Sequence, residues 1–436
     1  MVSSRYASGR LTTEPFSHIG LSGIFRPAKK TAENDKSLSP FGGGNRYKSQ
    51  KDETMKKILF TVIAFMVLPA YGQDLARFKD VPMGRIVNDK AYTNGNKYQK
   101  DALLFIDMLA DTHPYYVKKS KRDELFSETD ALMAECAICD SDTRFVEILR
   151  GAMHEVRDRH TDVIDAESYM RNRTLKEESR GQVRSKNKGR LCILDDNGHL
   201  FSYTILGKES ICYMQFNQCN DARTLKDESL PRFDRMLDNM FADMERERIA
   251  TLIVDLQYNS GGSSRLCDEL LDRLCPLSEL RMMDTYMRFS PLMALYNPKA
   301  GDAMKAWEEA GHRDELYPLP HKKMQIPEHS YYQGKVVFIQ GPGTFSSAGI
   351  LVTTARDNGI GTIIGTESTY SPSHYGEVLP FRLPNTGTLG SVCTKYIERA
   401  DKEKTEDRTL VPDIVLDLDS KASAWRKIIR MYSSKQ

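Results

Sequence analysis

The sequence predicts an α/β fold, with a helical segment on the N-terminal side of a core in which strands and helices alternate. Three observations carry this. Residues 98 to 156 place apolar side chains at helical spacing. Short apolar runs suited to buried strands recur at 251–256, 335–340 and 362–364. Helical patterns and glycine-bearing turns separate those runs, as in a sheet with helical crossovers.

The chain of 436 residues is 40% hydrophobic and 28% charged, enough for a large core and more than one domain. Its net charge of +2 is uneven. Residues 1–72 hold 11 Lys and Arg against 5 Asp and Glu, which leaves the rest at −4. A mildly acidic body offers no basic surface for nucleic acid. Met55, Lys56 and Lys57, the apolar run Ile58–Leu68 and the small residues of Ala70-Tyr71-Gly72 read as a signal peptide. The run is too short to span a bilayer comfortably. We therefore expect an exported chain, periplasmic or extracellular, cleaved near Gly72 and keeping no stable membrane span. No Cys follows Gly72, so a lipid anchor is not expected. Residues 1–54 are rich in Ser, Gly and Lys without periodicity, and read as a disordered or non-native extension before a true start at Met55. All eight cysteines lie beyond the cleavage point. An even number in an exported chain permits disulfides without requiring them. Cys136 and Cys139 have C-x-x-C spacing, but Cys212 and Cys219 are too far apart to complete a zinc knuckle. Structural or free thiols are expected, with no metal or cofactor.

Residues 73–165 form the expected helical domain. One helix runs from about Asp101 to Ala110 and ends before His113-Pro114, where proline disfavours helix in its predecessor. Asp140-Ser141-Asp142 offers caps to a helix carrying Phe145, Ile148, Leu149, Ala152 and Val156. The α/β core takes up 166–436. Residues 166–190 are polar and read as a loop. Strands follow at 200–206 and 211–216, joined by a turn at Gly207–Ser210. Pro231 opens an amphipathic helix bearing Phe233, Leu237, Met240, Phe241 and Met244. Strand 251–256 ends toward Gly261-Gly262 and leads to a helix at 266–274. Residues 285–333, rich in Met, Pro and Tyr, read as an irregular insertion; Tyr286–Tyr317 suits apolar substrate side chains or core packing equally. Strand 335–340 passes through Gly341-Pro342-Gly343-Thr344 into a helix at 347–356.

Two strand ends carry the chemistry. Ser346 stands at a helix start, where free N–H groups favour a developing oxyanion. The turn Asn259-Ser260-Gly261-Gly262 lets backbone N–H groups approach a ligand closely. Asp255-Leu256-Gln257-Tyr258-Asn259-Ser260-Gly261-Gly262 resembles the strand-end signature of the tail-specific, or C-terminal processing, serine peptidases. Gly343-Thr344-Phe345-Ser346-Ser347-Ala348 resembles their nucleophile motif, Thr362-Ile363-Ile364-Gly365 the strand after it, Asp158-Arg159-His160-Thr161 an early Asp-Gly-His-Thr element, and Pro412-Asp413-Ile414 a late motif. Order and spacing agree from about residue 100 to 430.

The resemblance implies a helical N-terminal cap on a mixed-sheet α/β core of the ClpP/crotonase-like type, acting on peptide or protein substrates. It departs from the lysine-dependent members: the position 25 residues after Ser346 is Ser371, not lysine. The chain is instead similar to the lysine-free branch of tricorn and the retinoid-binding-protein relatives, which makes His160 the implied base. No segment between His160 and Leu200 is long enough for a PDZ domain. Ser260 and Gln257 replace a family glycine and arginine. The implied roles are Ser346 as nucleophile, His160 as base, and the N–H groups of Ser347 and of Gly261 or Gly262 as oxyanion donors. Glu377, Glu367 and Glu398 are open candidates for the carboxylate that orients the histidine. His374 is a rival base and Ser347 a rival hydroxyl; His154 is expected to be structural, and Asp255 to hold a turn. The alternative is a family member that binds a peptide or small apolar ligand without cutting. An α/β-hydrolase elbow is not present, since Thr344 and Ala348 occupy its glycine positions.

Overall fold

The computed structural model describes residues 75–84, 86–156, 158–182, 200–321, 330–418 and 422–433. The expected extension at 1–54 and signal peptide at 55–72 lie outside the described residues. A short strand β1 (Lys79–Asp80) precedes helices α1 (Lys97–Thr112), α2 (Lys119–Ser127), α3 (Thr129–Ala137) and α4 (Asp142–Ala152). Asn96 and Gln99 close a capping box on α1, and the helix stops at His113, ahead of Pro114. Ser141 caps α4, its hydroxyl accepting from the Arg144 N–H at 3.3 Å. These helices bury Leu104, Phe105, Leu109, Phe145 and Leu149 in a core that also takes in Phe381, Leu383 and Val392 from a later hairpin.

Strand β2 (Asp162–Ile164) is followed by α5 (Ala166–Gln182), where a loop was expected. Polarity all round hid this helix from periodicity, but Ala, Glu, Arg, Met and Leu are good helix formers. Its first turns are held by Tyr169 packing on Phe78, Ile164 and Leu389.

The next elements are β3 (Phe201–Leu206), β4 (Ile211–Phe216), α6 (Phe233–Arg246), β5 (Thr251–Asp255) and α7 (Ser264–Leu274), close to their expected bounds. Within the stretch 285–333, expected to be irregular, residues up to 319 instead form β6 (Asp284–Met287), α8 (Pro291–Tyr296), α9 (Pro298–Glu309) and β7 (Tyr317–Leu319). Ser290 and Asn297 each cap a helix whose first residue is proline. The chain continues through β8 (Lys335–Gln340), α10 (Ser347–Asp357), β9 (Thr362–Gly365), β10 (His374–Arg382), β11 (Leu389–Glu398), β12 (Ile414–Val415) and α11 (Ala422–Tyr432).

Two six-stranded sheets result. One has the order β12-β9-β8-β5-β4-β3 and is parallel except for β3. Both of its faces are covered. Leu252, Val254, Val336 and Phe338 face the core built with α6, α7 and α10, while Ile253, Val337 and Ile339 face the core closed by Ile428 of α11. This period-two alternation with apolar residues on both faces explains why these strands read as continuous apolar runs. The other sheet, β1-β10-β11-β6-β7 with β2 paired on β11, is built around the long β10–β11 hairpin, which the sequence reading did not foresee. The α/β class with a helical cap is as expected. No helix among the described residues is long and apolar enough to cross a membrane.

The end of the second sheet is tied to α10 by a buried ion pair. Arg399 and Asp357 are each 1% exposed, with Nη2 and Oδ1 2.5 Å apart, and Asp407 takes a second guanidinium nitrogen at 2.9 Å. Removing Asp357 leaves the buried Arg399 guanidinium with only the half-exposed Asp407 to balance it. Asp357→Ala is therefore expected to cost about 3–5 kcal/mol in urea unfolding; a loss below about 1 kcal/mol would show that the pair holds nothing together.

Candidate active site

Strands β5 and β8 are parallel neighbours, so the turns at their C-terminal ends lie side by side. The turn after β5 is held by Asp255, which accepts from the N–H of Gln257 at 3.0 Å, and by buried Asn259. Asn259 donates through Nδ2 to the Phe216 carbonyl at 2.9 Å and accepts from the Gly261 N–H at 2.9 Å. The turn after β8 is closed by Thr344, whose hydroxyl accepts from the Gly341 N–H at 3.0 Å and donates to the Leu256 carbonyl at 2.8 Å. Phe345 N–H donates to the Asn259 carbonyl at 3.0 Å, and the Ser347 hydroxyl donates to the Gly262 carbonyl at 2.7 Å.

Ser346 sits at the tip with φ 52° and ψ −126°, left-handed backbone that a non-glycine residue adopts only under strain. It occupies the N-cap position of α10, yet its side chain makes no capping bond. Gly261 packs directly on it: a Cβ there would lie 2.7 Å from the Ser346 Cβ and 3.0 Å from the Ser347 nitrogen. Of the expected oxyanion donors, Gly261 has its N–H committed to Asn259. Among the described residues, the N–H groups of Gly262 and Ser347 have no acceptor. The rival hydroxyl of Ser347 is spent on the Gly262 carbonyl.

His160 approaches from the helical side. Its ring lies 4.5 Å from the Phe345 ring, next to Ser346, and 6.2 Å from the His374 ring. Its Nδ1 is 3.5 Å from Asp158 Oδ1, and its Nε2 is buried with no hydrogen-bond partner. Asp158, whose side chain is 3% exposed, also accepts from the backbone N–H groups of His160 and Thr161, from His113 Nε2 at 3.2 Å and from Cys393 Sγ at 3.0 Å. Burial alone would raise its pKa, but the hydrogen bonds from His113 and His160 prevail and hold it well below the carboxylate range. Of the three glutamates expected near the base, Glu367 is exposed and Glu398 pairs with Lys402, while Glu377 lines the cavity beside Ser346 and His374 but pairs with Lys395. Asp158 stood inside the Asp-Arg-His-Thr motif, and its two-residue offset from His160 was the available signal. His113 gave none beyond its proline.

His113, Asp158 and Cys393 bring three ligand-type atoms within 4.8 Å. They do not suit a metal, because the Tyr115 N–H donates to His113 Nδ1 and so leaves the ring proton on Nε2, facing Asp158. His374 is buried against Tyr370, whose hydroxyl lies 2.6 Å from its Nδ1. Burial first, then the neighbouring His160, pushes its pKa down to about 3. It lines, with Ser346, Ser347 and Gly262, a cavity of about 740 Å³ whose apolar wall includes Met282, Met283 and Ile350.

An α/β core with a helical cap and a glycine turn set against a serine turn is the layout of a peptidase of the tail-specific type. The sequence profile of peptidase family S41 matches residues 210–416, from β4 to β12 of the α/β core. Among solved structures it is similar to mature CPAF complexed with lactacystin, at 12% identity and a TM-score of 0.51 over 77% of this chain and 97% of the other. That likeness shows the fold. A candidate peptidase from Parabacteroides merdae aligns at 16% identity and a TM-score of 0.49, over 79% and 98% of the two chains. The photosystem II D1 C-terminal processing protease aligns at 10% and 0.44, over 78% and 98%. No curated protein sequence matches the chain.

The buried His374 ring gives a pH signature. The unfolded chain protonates it near pH 6.5, the folded chain only near 3. The stability from burying the neutral ring is complete above pH 6.5 and is lost as the pH falls toward 3. Urea midpoints measured from pH 7 to 4 should fall more steeply for the wild type than for His374→Gln; parallel slopes would mean the ring is not buried neutral.

Proposed function

We propose that this protein is an S41-type peptidase that hydrolyses peptide bonds of exported proteins or peptides, with Ser346 as nucleophile, His160 as base and Asp158 as the carboxylate that orients it. The observation that carries this is an uncapped Ser346 hydroxyl on strained backbone, lining one cavity with Gly262 and Ser347, whose N–H groups are free, while the His160 ring, its Nε2 unpartnered, lies 4.5 Å from the ring of the adjoining Phe345.

Asp158 draws the His160 proton to Nδ1 and leaves Nε2 as the lone-pair nitrogen. Nε2 takes the Ser346 proton as Oγ attacks the scissile carbonyl. The N–H groups of Gly262 and Ser347 receive the negative oxygen. His160 then protonates the leaving amine, and water enters by the reverse path to free the acyl group. His374 is a poor rival, since a group with pKa about 3 holds a proton weakly at neutral pH. The cavity's Met282, Met283 and Ile350 favour an apolar substrate side chain beside the serine.

Fluorophosphonate labelling of the protein started at Met55, run beside peptide hydrolysis, tests this reading. Ser346→Ala should abolish labelling. His160→Ala and Asp158→Asn should each lower kcat/KM by about 10³–10⁴ with smaller effects on KM. A folded wild type that neither labels nor cuts a broad peptide set would be a binding protein instead.

Export is part of the proposal and rests on the Lys56–Gly72 segment. Expression of the chain from Met55 in a bacterium should yield a mature N-terminus near Gln73 by mass spectrometry. An intact Met55 terminus in the cytoplasmic fraction would refute it.

A further inference from the structure

Beneath the Asn259–Ser263 turn two thiols meet. Cys219 lies in the strap that follows β4, and Cys267 lies near the start of α7. Both are fully buried, and their sulfurs are 3.6 Å apart. The strap is bonded to the glycine turn on both sides: the Cys219 N–H donates to the Gly261 carbonyl at 3.0 Å, and its carbonyl accepts from the Ser263 N–H at 2.7 Å. The space between them is so tight that a Cβ on Gly262 would lie 2.5 Å from the Cys219 oxygen. Cys219 Sγ approaches Asn259 Oδ1 at 3.5 Å, the atom that also holds the Gly261 N–H. Cys267 Sγ donates to the Ser347 carbonyl at 3.2 Å. The pair thus touches both turns of the site.

We propose that Cys219 and Cys267 form a disulfide that staples the strap to α7 under the glycine turn. The sulfurs need to close from 3.6 Å to about 2.05 Å. The oxidant is a small-molecule disulfide such as glutathione disulfide. One cysteine thiolate attacks it, forming a mixed disulfide and releasing one thiol. The second cysteine thiolate attacks the protein sulfur and releases the other thiol. Two protein thiols lose two protons and two electrons, and the reagent disulfide becomes two thiols. The hydrogen bond to Cys219 and burial hold the Cys267 thiol well above its ordinary pKa, so exchange belongs to the folding or opened chain and not to the closed native pair. The cross-link joins residues 48 apart. It restricts the unfolded chain and fixes the strap on which Gly262 and Ser263 rest. This inference depends on neither the peptidase nor the export reading.

The test uses the full chain, unfolded and refolded in glutathione buffers of graded oxidised-to-reduced ratio, with native protein held in the same buffers as a second approach to equilibrium. After acid quench, alkylation and digestion, mass spectrometry should find the Cys219 and Cys267 peptides cross-linked at oxidising ratios. The cross-linked protein should melt at least about 5 °C above its dithiothreitol-reduced form. Cys219→Ala with Cys267→Ala should remove that difference. Alkylation of both thiols at every ratio, a preferred bond to another cysteine, or equal melting of the oxidised and reduced wild type would each overturn the proposal. The mass result on the wild type decides even if the double variant fails to fold.

Discussion

The site rests on two turns that hold each other through the hydrogen bonds from Phe345 N–H to the Asn259 carbonyl and from the Ser347 hydroxyl to the Gly262 carbonyl. Parallel pairing of β5 and β8 brings their C-terminal ends to one edge of the sheet, the usual place for a site in such folds. Close approach then sets the composition. Gly343 has the Gln257 carbonyl 2.6 Å from where a Cβ would sit, and Gly261 has the Ser346 Cβ at 2.7 Å. The strain at Ser346 persists because both neighbouring residues are pinned: Phe345 through its N–H and Ser347 through its side chain.

Asp158 is the second fixed point. A buried carboxylate is costly unless its lone pairs are filled. Here two backbone N–H groups, the His113 ring and the Cys393 thiol fill them, and His160 lies alongside. The Ser391 hydroxyl donates to the His160 carbonyl at 2.7 Å, so β11 also fixes the loop from behind. One imidazole anchors the carboxylate, and the other keeps a nitrogen without a partner.

The parallel strands and their turns were legible because a sheet buried on both faces leaves an unbroken apolar run, as at 335–340, and because glycine marks close approach. Ser346 and Gly262 stand out on those turns, whereas His160 is singled out only by the resemblance of Asp158-Arg159-His160-Thr161 to a family motif. What the reading missed lacked periodicity or proximity in sequence. The α5 helix is charged all round. The Ser290-Pro291 and Asn297-Pro298 caps were readable signals lost in a Pro- and Met-rich stretch. The β10–β11 hairpin mixes polar and apolar residues on a half-buried sheet. Sequence does not choose among Glu367, Glu377 and Glu398, whereas the carboxylate beside His160 comes from two residues before it.

The pieces of the site come from residues 158–160, 259–262 and 344–347, and its supports from 391 and 393. The Ser347–Gly262 bond spans 85 residues and the Ser391–His160 bond 231. Contacts of such long sequence separation form late, after most chain entropy has been lost. Neither sheet holds the constellation alone. A half-folded chain therefore holds these residues apart, and the site is complete only once the two sheets have docked.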